Sequence, residues 1–405
     1  MKNNFVRTAV VLGLLSVIGP FAIDMYLPGL PSIGSALQAS AAEVQMSLMV
    51  FIMAVSLSQL FYGPLSDIIG RKTPLYWGLA LFAIASAGCA LATNVETLIA
   101  FRILQGLGAC AAMVMPRAIV RDLFHGPDAL RMMGMLILVF SVSPILAPLF
   151  GSFVVAAMGW RAIFWVMSVA AVLGLVVTRL QLQETRTPAA REGSSWRSAV
   201  SDYADLLRDW HFLGLAVITG FSFGAFIVYL GNSSFVLIGH YGLSPMQYSL
   251  CFSLNAFAFV ASTQLNGWLG ARYSMIRVLR FAVAGLAAVM LALFALFAAG
   301  VDSLTVMIAL LFVGYAFMGP IMPNATVMAL EHHGPRAGTA SALLGTVQML
   351  VSAGVMGLTS YFADGTALPM LGGIAATALC GFIVAFLFLP PARQERPIPG
   401  DIAAG

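Results

Sequence analysis

The chain has 405 residues, of which 60% are hydrophobic and 9% charged, with a formal charge of +4. Soluble domains carry about 25% charged residues, so this composition excludes one. Apolar runs of about 20 residues likewise exclude a membrane β-barrel, whose strands alternate over about ten. Cys89, Cys110, Cys251 and Cys380 all lie in apolar segments. They read as small buried residues, not as a disulfide framework or a metal site.

Twelve apolar segments are predicted as helices, at roughly 5–30, 42–63, 74–93, 97–121, 130–153, 160–182, 210–238, 245–268, 276–300, 303–327, 337–361 and 368–390. The first is too long for a signal peptide and lacks a cleavage site, so it is expected to remain as a helix. The longest polar stretch, Gln183 to Asp209, divides the chain. The fold class is therefore an all-α membrane protein of twelve transmembrane helices in two six-helix bundles, residues 1–182 and 210–390. Within the linker, 183–209, Trp196, Val200, Tyr203, Leu207 and Trp210 recur at helical spacing, and Ser194 or Ser195 can cap the start. This predicts an amphipathic helix on the membrane surface; a disordered tether is the alternative. If the N-terminus is cytoplasmic, Lys2, Arg7, Arg71, Lys72, Arg121, Arg131, Arg272, Arg277, Arg280, Arg336, Arg393, Arg396 and the linker arginines fall on the cytoplasmic side, against Arg161 outside. Both termini, including the tail 391–405, are therefore expected in the cytoplasm.

Asp24 is the one carboxylate deep inside an apolar segment. Such a group costs a few kcal/mol or more unless it is paired, protonated or facing water. It is thus a candidate proton carrier; a helix-end residue facing loop water is the alternative. Arg102 in the fourth segment should lie at a similar depth, about 25–28 Å from the cytoplasmic ends at 1.5 Å per residue. A buried guanidinium needs an anion or water. Arg102 is expected either to stabilise the charged form of Asp24 as a cavity opens and closes, or to form a static structural pair with it.

The turn after the second segment reads Gly63-Pro64-Leu65-Ser66-Asp67-Ile68-Ile69-Gly70-Arg71-Lys72. It resembles the signature loop G-x-L-x-D-x-x-G-R-K/R of the major facilitator superfamily at every position. Glycines permit a tight turn, and Asp67 can accept N–H bonds at a helix start or pair with a cation. Gly63, Leu65, Asp67, Gly70, Arg71 and Lys72 are thus expected at a cytoplasmic gate. The second half has only a worn copy, Gly267-Trp268-Leu269-Gly270-Ala271-Arg272, without the acid. Arg102-Ile103-Leu104-Gln105-Gly106-Leu107-Gly108 matches the superfamily's R-x-x-Q-G-x-G/A. Asp24-Met25-Tyr26-Leu27-Pro28-Gly29-Leu30-Pro31 is similar to the first helix of drug/proton antiporters, above all the Bcr/CflA subfamily of bicyclomycin- and phenicol-type exporters. Ser16 stands where related antiporters carry a second acid.

The fifth segment, with Pro144, Pro148 and Gly151, loosely resembles the antiporter motif and is expected to act as a hinge; ordinary packing explains it nearly as well. A soft, weakly polar substrate cavity is expected from Met25, Tyr26, Phe223, Phe226, Tyr229, Asn232, Asn255, Tyr315, Met318, Asn324 and Gln348. No P-loop lysine, intramembrane histidine relay, redox motif or nucleic-acid signature is visible. His332 and His333 read as a solvated loop. The expectation is a non-enzymatic monomer of a bacterial inner membrane, without cofactor or metal. Its partners are a small-molecule drug, protons and the bilayer, and it exports drugs by antiport. A proton-coupled metabolite importer and a non-transporting membrane sensor remain as alternatives.

Overall fold

The computed structural model describes residues 2–191, 195–331, 333 and 336–389, without the side chains of residues 2–4, 130, 189 and 190. Among these residues it is helical, with no strand. The first half comprises α1 (Lys2–Asp24), a 3-10 turn (Leu27–Gly29), α2 (Leu30–Leu37), α3 (Ala41–Ile69), α4 (Lys72–Leu91), α5 (Val95–Leu123), α6 (Gly126–Met158) and α7 (Arg161–Gln181). Two short helices, α8 (Pro188–Arg191) and α9 (Trp196–Leu206), lie in the linker. The second half holds α10 (Trp210–Ser234), extended by a π-helical turn, α11 (Pro245–Gln264), α12 (Asn266–Gly270), α13 (Met275–Ala298), α14 (Leu304–Leu330), α15 (Ala337–Tyr361) and α16 (Ala367–Phe388). The predicted tail, 391–405, lies outside the described residues.

Eleven spans among the described residues are long and apolar enough to cross a membrane. The twelfth crossing helix is α11, whose Gln247, Ser249, Ser253, Asn255, Ser262, Thr263 and Gln264 lower its mean hydropathy. Those polar groups are largely turned inward: Ser249 and Asn255 are fully buried. Polar residues in a spanning helix face the protein interior because lipid offers them no partner.

Side-chain caps satisfy the free N–H groups that begin several helices. Ser40 and Glu43 form a capping box on α3, and Ser244 with Gln247 does the same on α11. Asn94 caps α5 by accepting from the N–H of Thr97 at 2.8 Å. In the linker Ser195 caps α9, while the predicted alternative Ser194 lies outside the described residues. Trp210 opens α10 instead of continuing α9.

Two boundaries differ from expectation. The first segment is not one helix over 5–30: α1 ends at Asp24, and the chain re-forms as α2 after one 3-10 turn. Pro28 and Pro31 explain the break, since neither has an N–H to donate to the carbonyls of Asp24 and Leu27 one turn back. Asp24 therefore ends a helix. The signature stretch is not a turn either: α3 runs through Gly63 and Pro64 to Ile69, and the chain turns only at Gly70 with φ of 98°. Pro64 cannot donate to the carbonyl of Leu60 one turn back. Tyr203 of α9 fills the vacancy, its hydroxyl donating to Leu60 O at 3.1 Å. Pro323 in α14 likewise frees the carbonyl of Gly319, which accepts from Thr263 of α11 at 3.4 Å.

The first half is built on α1 packed against α5 and α6, α3 against α5, and α4 against α5 and α7. Glycines make this close: a Cβ on Gly108 of α5 would sit 2.6 Å from Gly78 O and from Phe82 N of α4. In the second half α10 packs on α15 and α16, α13 on α14 and α16, and α11 on α14. Two seams join the halves, α6 with α11 and α3 with α15. At the bundle end remote from the linker the seams are closed. Ser249 donates to Pro148 O at 2.8 Å, Ser253 to Ile145 O at 2.7 Å, and Gln45 to Asn232 Oδ1 at 3.1 Å. Ser56 and Thr346 exchange hydroxyl-to-carbonyl bonds of 3.0 Å nearer the middle. Toward the linker end the halves part around a hollow.

Candidate functional site

Asp24 is 4% exposed. Its carboxylate accepts a single hydrogen bond, from Ser143 of α6 at 3.4 Å, and has no ion pair among the described residues. Ser143 precedes Pro144 and lies two residues from Ile145, whose carbonyl is clipped by Ser253 of α11. Gly151 lets the same helix press onto the backbone beside the acid: a Cβ there would collide with the carbonyl oxygen of Met25. Asp24 thus sits directly behind the α6–α11 seam, held by the helix that forms it. Ser16 bonds to the carbonyl of Leu12, 2.7 Å away, and offers no second proton site.

The expected Asp24–Arg102 pair is not formed in this conformation. Arg102 is fully buried and spends its donors elsewhere. Its Nη1 donates to Gln105 Oε1 at 2.7 Å and to Ala22 O at 3.2 Å, and its Nε to Ser47 O at 3.4 Å. The guanidinium lies over the rings of Phe51, 4.1 Å from its centroid, and Tyr26, at 4.6 Å. Aromatic faces stabilise a desolvated cation. Nη2 keeps no partner. Arg102 therefore ties α1, α3 and α5 together, its α1 anchor two residues before Asp24, without neutralising that acid.

The residues expected to line a substrate cavity divide into three groups. Phe223, Phe226, Tyr229, Asn255 and Tyr315 come together in the second half, with Phe252 and Phe259 as members the sequence did not single out. Met318, fully buried, lies one turn from Tyr315 on α14. Tyr229 stacks on Phe252 at 5.5 Å and accepts from Asn255 Nδ2 at 3.1 Å. Tyr315 Oη and Asn255 Oδ1 are buried without partners. Met25 and Tyr26 instead pack inside the first half, Tyr26 bonded to Ser47 at 2.7 Å. Asn232 is engaged by Gln45 at the closed end, Asn324 bonds Asn266 and Pro320 O at 2.7 Å each near the linker end, and Gln348 is half-buried on α15.

The hollow between the halves has a volume of about 910 Å³ and draws walls from α3, α5, α6, α14 and α15, with α9 across it. None of the eleven expected cavity residues lines it; the aromatic cluster lies apart from it. Gln59, Arg117, Met133 and Thr326 do line it, and reading the sequence missed them. A second hollow, about 1100 Å³, is lined by the first half and the start of the linker alone and so lies off the path between the halves.

At the linker end the signature residues form a charge network. Arg71 pairs with Asp67 at 2.8 Å and with Asp122 at 2.8 Å, and donates to Ser66 Oγ at 2.6 Å. Asp67 lies in the last turn of α3, not at a helix start, where the dipole is unfavourable for an anion; Arg71 and Arg186 offset that. Gly63 and Leu65 lie within α3, and the Lys72 ammonium is 5.7 Å from the Tyr76 ring centroid. Glu184, unsuspected from sequence, accepts from the N–H groups of Arg71 at 2.9 Å and Lys72 at 3.1 Å. Partial burial works against the charge of Glu184. The N–H groups of Arg186, Arg71 and Lys72 and the Arg191 guanidinium outweigh it and hold the carboxyl below its usual range. A carboxyl with a depressed pKa contributes its stability above the unfolded value near 4.3 and loses it as pH falls through the folded value. This clamp is therefore intact at neutral pH. Glu184→Gln should loosen it at pH 7, with amide exchange at Arg71 and Lys72 rising roughly fivefold, given about 1 kcal/mol per hydrogen bond. Unchanged exchange by mass spectrometry would refute the clamp.

The family model described as Major Facilitator Superfamily matches residues 12–356. The chain belongs to this superfamily. A transporter of Bacillus subtilis named YdgK, itself uncharacterized, is 35% identical over 382 residues, covering 93% of this chain and 94% of the relative. The bicyclomycin resistance protein homolog of Haemophilus influenzae is 30% identical over 96% of this chain and 97% of its own. The chloramphenicol resistance protein of Pseudomonas aeruginosa is 30% identical over 86% and 84%. These names agree with the Bcr/CflA resemblance of the first helix. Among solved structures, the xylose transporter XylE of E. coli superposes with a TM-score of 0.72 at 13% identity, over 97% of this chain and 100% of that one. That likeness shows the fold. The protein is thus an integral membrane transporter of the major facilitator type.

Proposed function

We propose that the chain is a proton-driven exporter of small amphiphilic or neutral antibiotics in a bacterial inner membrane. Its linker end and both termini face the cytoplasm. The halves 1–182 and 210–390 rock about the path between them, and one chain suffices. The observation that carries this reading is Asp24: a carboxylate without a counter-charge, buried behind the seam that must open. An unpaired anion is costly there, and water reaches it only if α6 and α11 separate. Proton binding and seam opening are then linked, since a proton shifts only those states whose affinities for it differ. The basic loops at the linker end, against Arg161 at the other, support the orientation. The relatives named for bicyclomycin and chloramphenicol resistance support the drug class. Pro144 and Pro148 inside α6, with Gly151, support a hinge about which the seam would part.

The test is a resistance profile in an efflux-deficient bacterial strain, paired with flux in everted vesicles. Raised tolerance to phenicols or bicyclomycin, with drug accumulation in energised everted vesicles, is expected. Proton-linked loss of drug from those vesicles would indicate import, and absence of flux a sensor; either overturns the reading.

A further inference from the structure

The hollow between the halves contains five arginines and three aspartates. Arg71 takes Asp67 and Asp122, Arg186 takes Asp67, and Arg336 takes Asp202 at 3.0 Å. Every aspartate of the hollow is thereby engaged. Arg117 and Arg121 remain, with no carboxylate in ion-pair reach among the described residues. They are four residues apart and so lie on one face of α5. Arg117 is exposed into the hollow, although it sits six residues inside the end of its span at Leu123. Its guanidinium rests 4.7 Å from the ring centroid of Phe140. Val114, Met133 and Ile137 supply apolar surface in the same hollow. Arg121 reaches across it, with Nη1 3.2 Å from where a Cβ on Gly338 of α15 would stand.

A guanidinium does not shed its proton. Two like charges one turn apart repel, and a cation at membrane depth without an anion marks a pathway for one. We infer that Arg117 and Arg121 bind the carboxylate, sulfonate or phosphate group of an amphiphilic organic anion, with its apolar body against Val114, Met133 and Ile137. The substrate range thus extends beyond neutral drugs. This rests on the hollow being the transport path. A guanidinium offers an anionic head planar, two-pronged donation, and the Phe140 ring steadies that of Arg117.

The test uses the purified full chain and two probes that share one ring system, nalidixic acid and its uncharged methyl ester, with binding read by calorimetry. The wild-type protein should bind the acid at least tenfold more tightly than the ester. Arg117→Gln should remove that preference by lowering affinity for the acid at least tenfold more than affinity for the ester. Arg117→Lys should retain most of it, and Arg121→Gln should reduce it, so an unstable variant does not end the test. Inorganic phosphate at matched concentration should not displace the acid. Equal affinity of the wild type for acid and ester overturns the inference. So does parallel loss of both in Arg117→Gln, or displacement by phosphate alone, which would mark a free-anion site. Chloramphenicol flux is measured on the same preparation in liposomes. Flux without acid preference removes the anion site and leaves the export reading; acid preference without flux does the reverse.

Discussion

Asp24→Asn is expected to reduce drug accumulation in energised everted vesicles to the level of vesicles lacking the protein, while the variant still folds and binds drug. Asn matches Asp in shape and can still accept from Ser143, whose bond to Asp24 Oδ2 spans 3.4 Å. No ion pair is broken, because Asp24 has none among the described residues. Stability should therefore stay within about 1 kcal/mol of the wild type, as for substitutions that leave no cavity and strand no charge. What disappears is a titratable group behind the α6–α11 seam. Without it the proton gradient has nothing to act on, and only downhill movement of drug remains. Since Ser16 occupies the other candidate position, no second carboxylate on α1 can substitute. Wild-type accumulation by Asp24→Asn would mean that protons enter elsewhere.

Arg102→Met should have a comparably large effect by a different route. The arginine does not neutralise Asp24; it fixes what surrounds it. Its guanidinium joins Ala22 O on α1, Ser47 O on α3 and Gln105 on its own helix, and packs between Phe51 and Tyr26. Methionine fills much of the volume but strands Gln105 Oε1, at about 1–3 kcal/mol for a buried polar group left unpaired. It also releases the carbonyl two residues before Asp24. Uphill export should fall at least tenfold and thermal stability should drop. Proton release on drug addition should fall with export, because the carrier is displaced, not removed. Full coupling in a stably folded Arg102→Met variant would show that the buried cation serves packing alone.

The architecture was legible because lipid leaves little choice: apolar runs of about 20 residues become spanning helices. Even α11 was visible, since its serines and amides interrupt a long apolar pattern without ending it. Prolines were harder to read. Pro28 and Pro31 break the first segment after Asp24, whereas Pro64 is absorbed inside α3 because a tyrosine 139 residues later satisfies the carbonyl it frees. Local sequence does not reveal so distant a partner. The same applies to Glu184, which bonds backbone N–H groups 113 and 112 residues earlier, and to Asp122, paired with Arg71 across 51 residues. Aromatic residues were easy to nominate as a cluster. Which polar residues face the hollow depends on helix rotation and on the conformation adopted, and periodicity fixed neither. Arg117 drew no reading because sequence alone does not show which cation lacks a carboxylate partner in the fold.

The central claim is that drug and proton exchange through Asp24. It is tested most directly by measuring pH in a weakly buffered solution of purified protein as chloramphenicol is added. The account predicts proton release near one per protein that saturates with drug binding and vanishes in Asp24→Asn. Drug binding without proton release in the wild type, or undiminished release in Asp24→Asn, would contradict it.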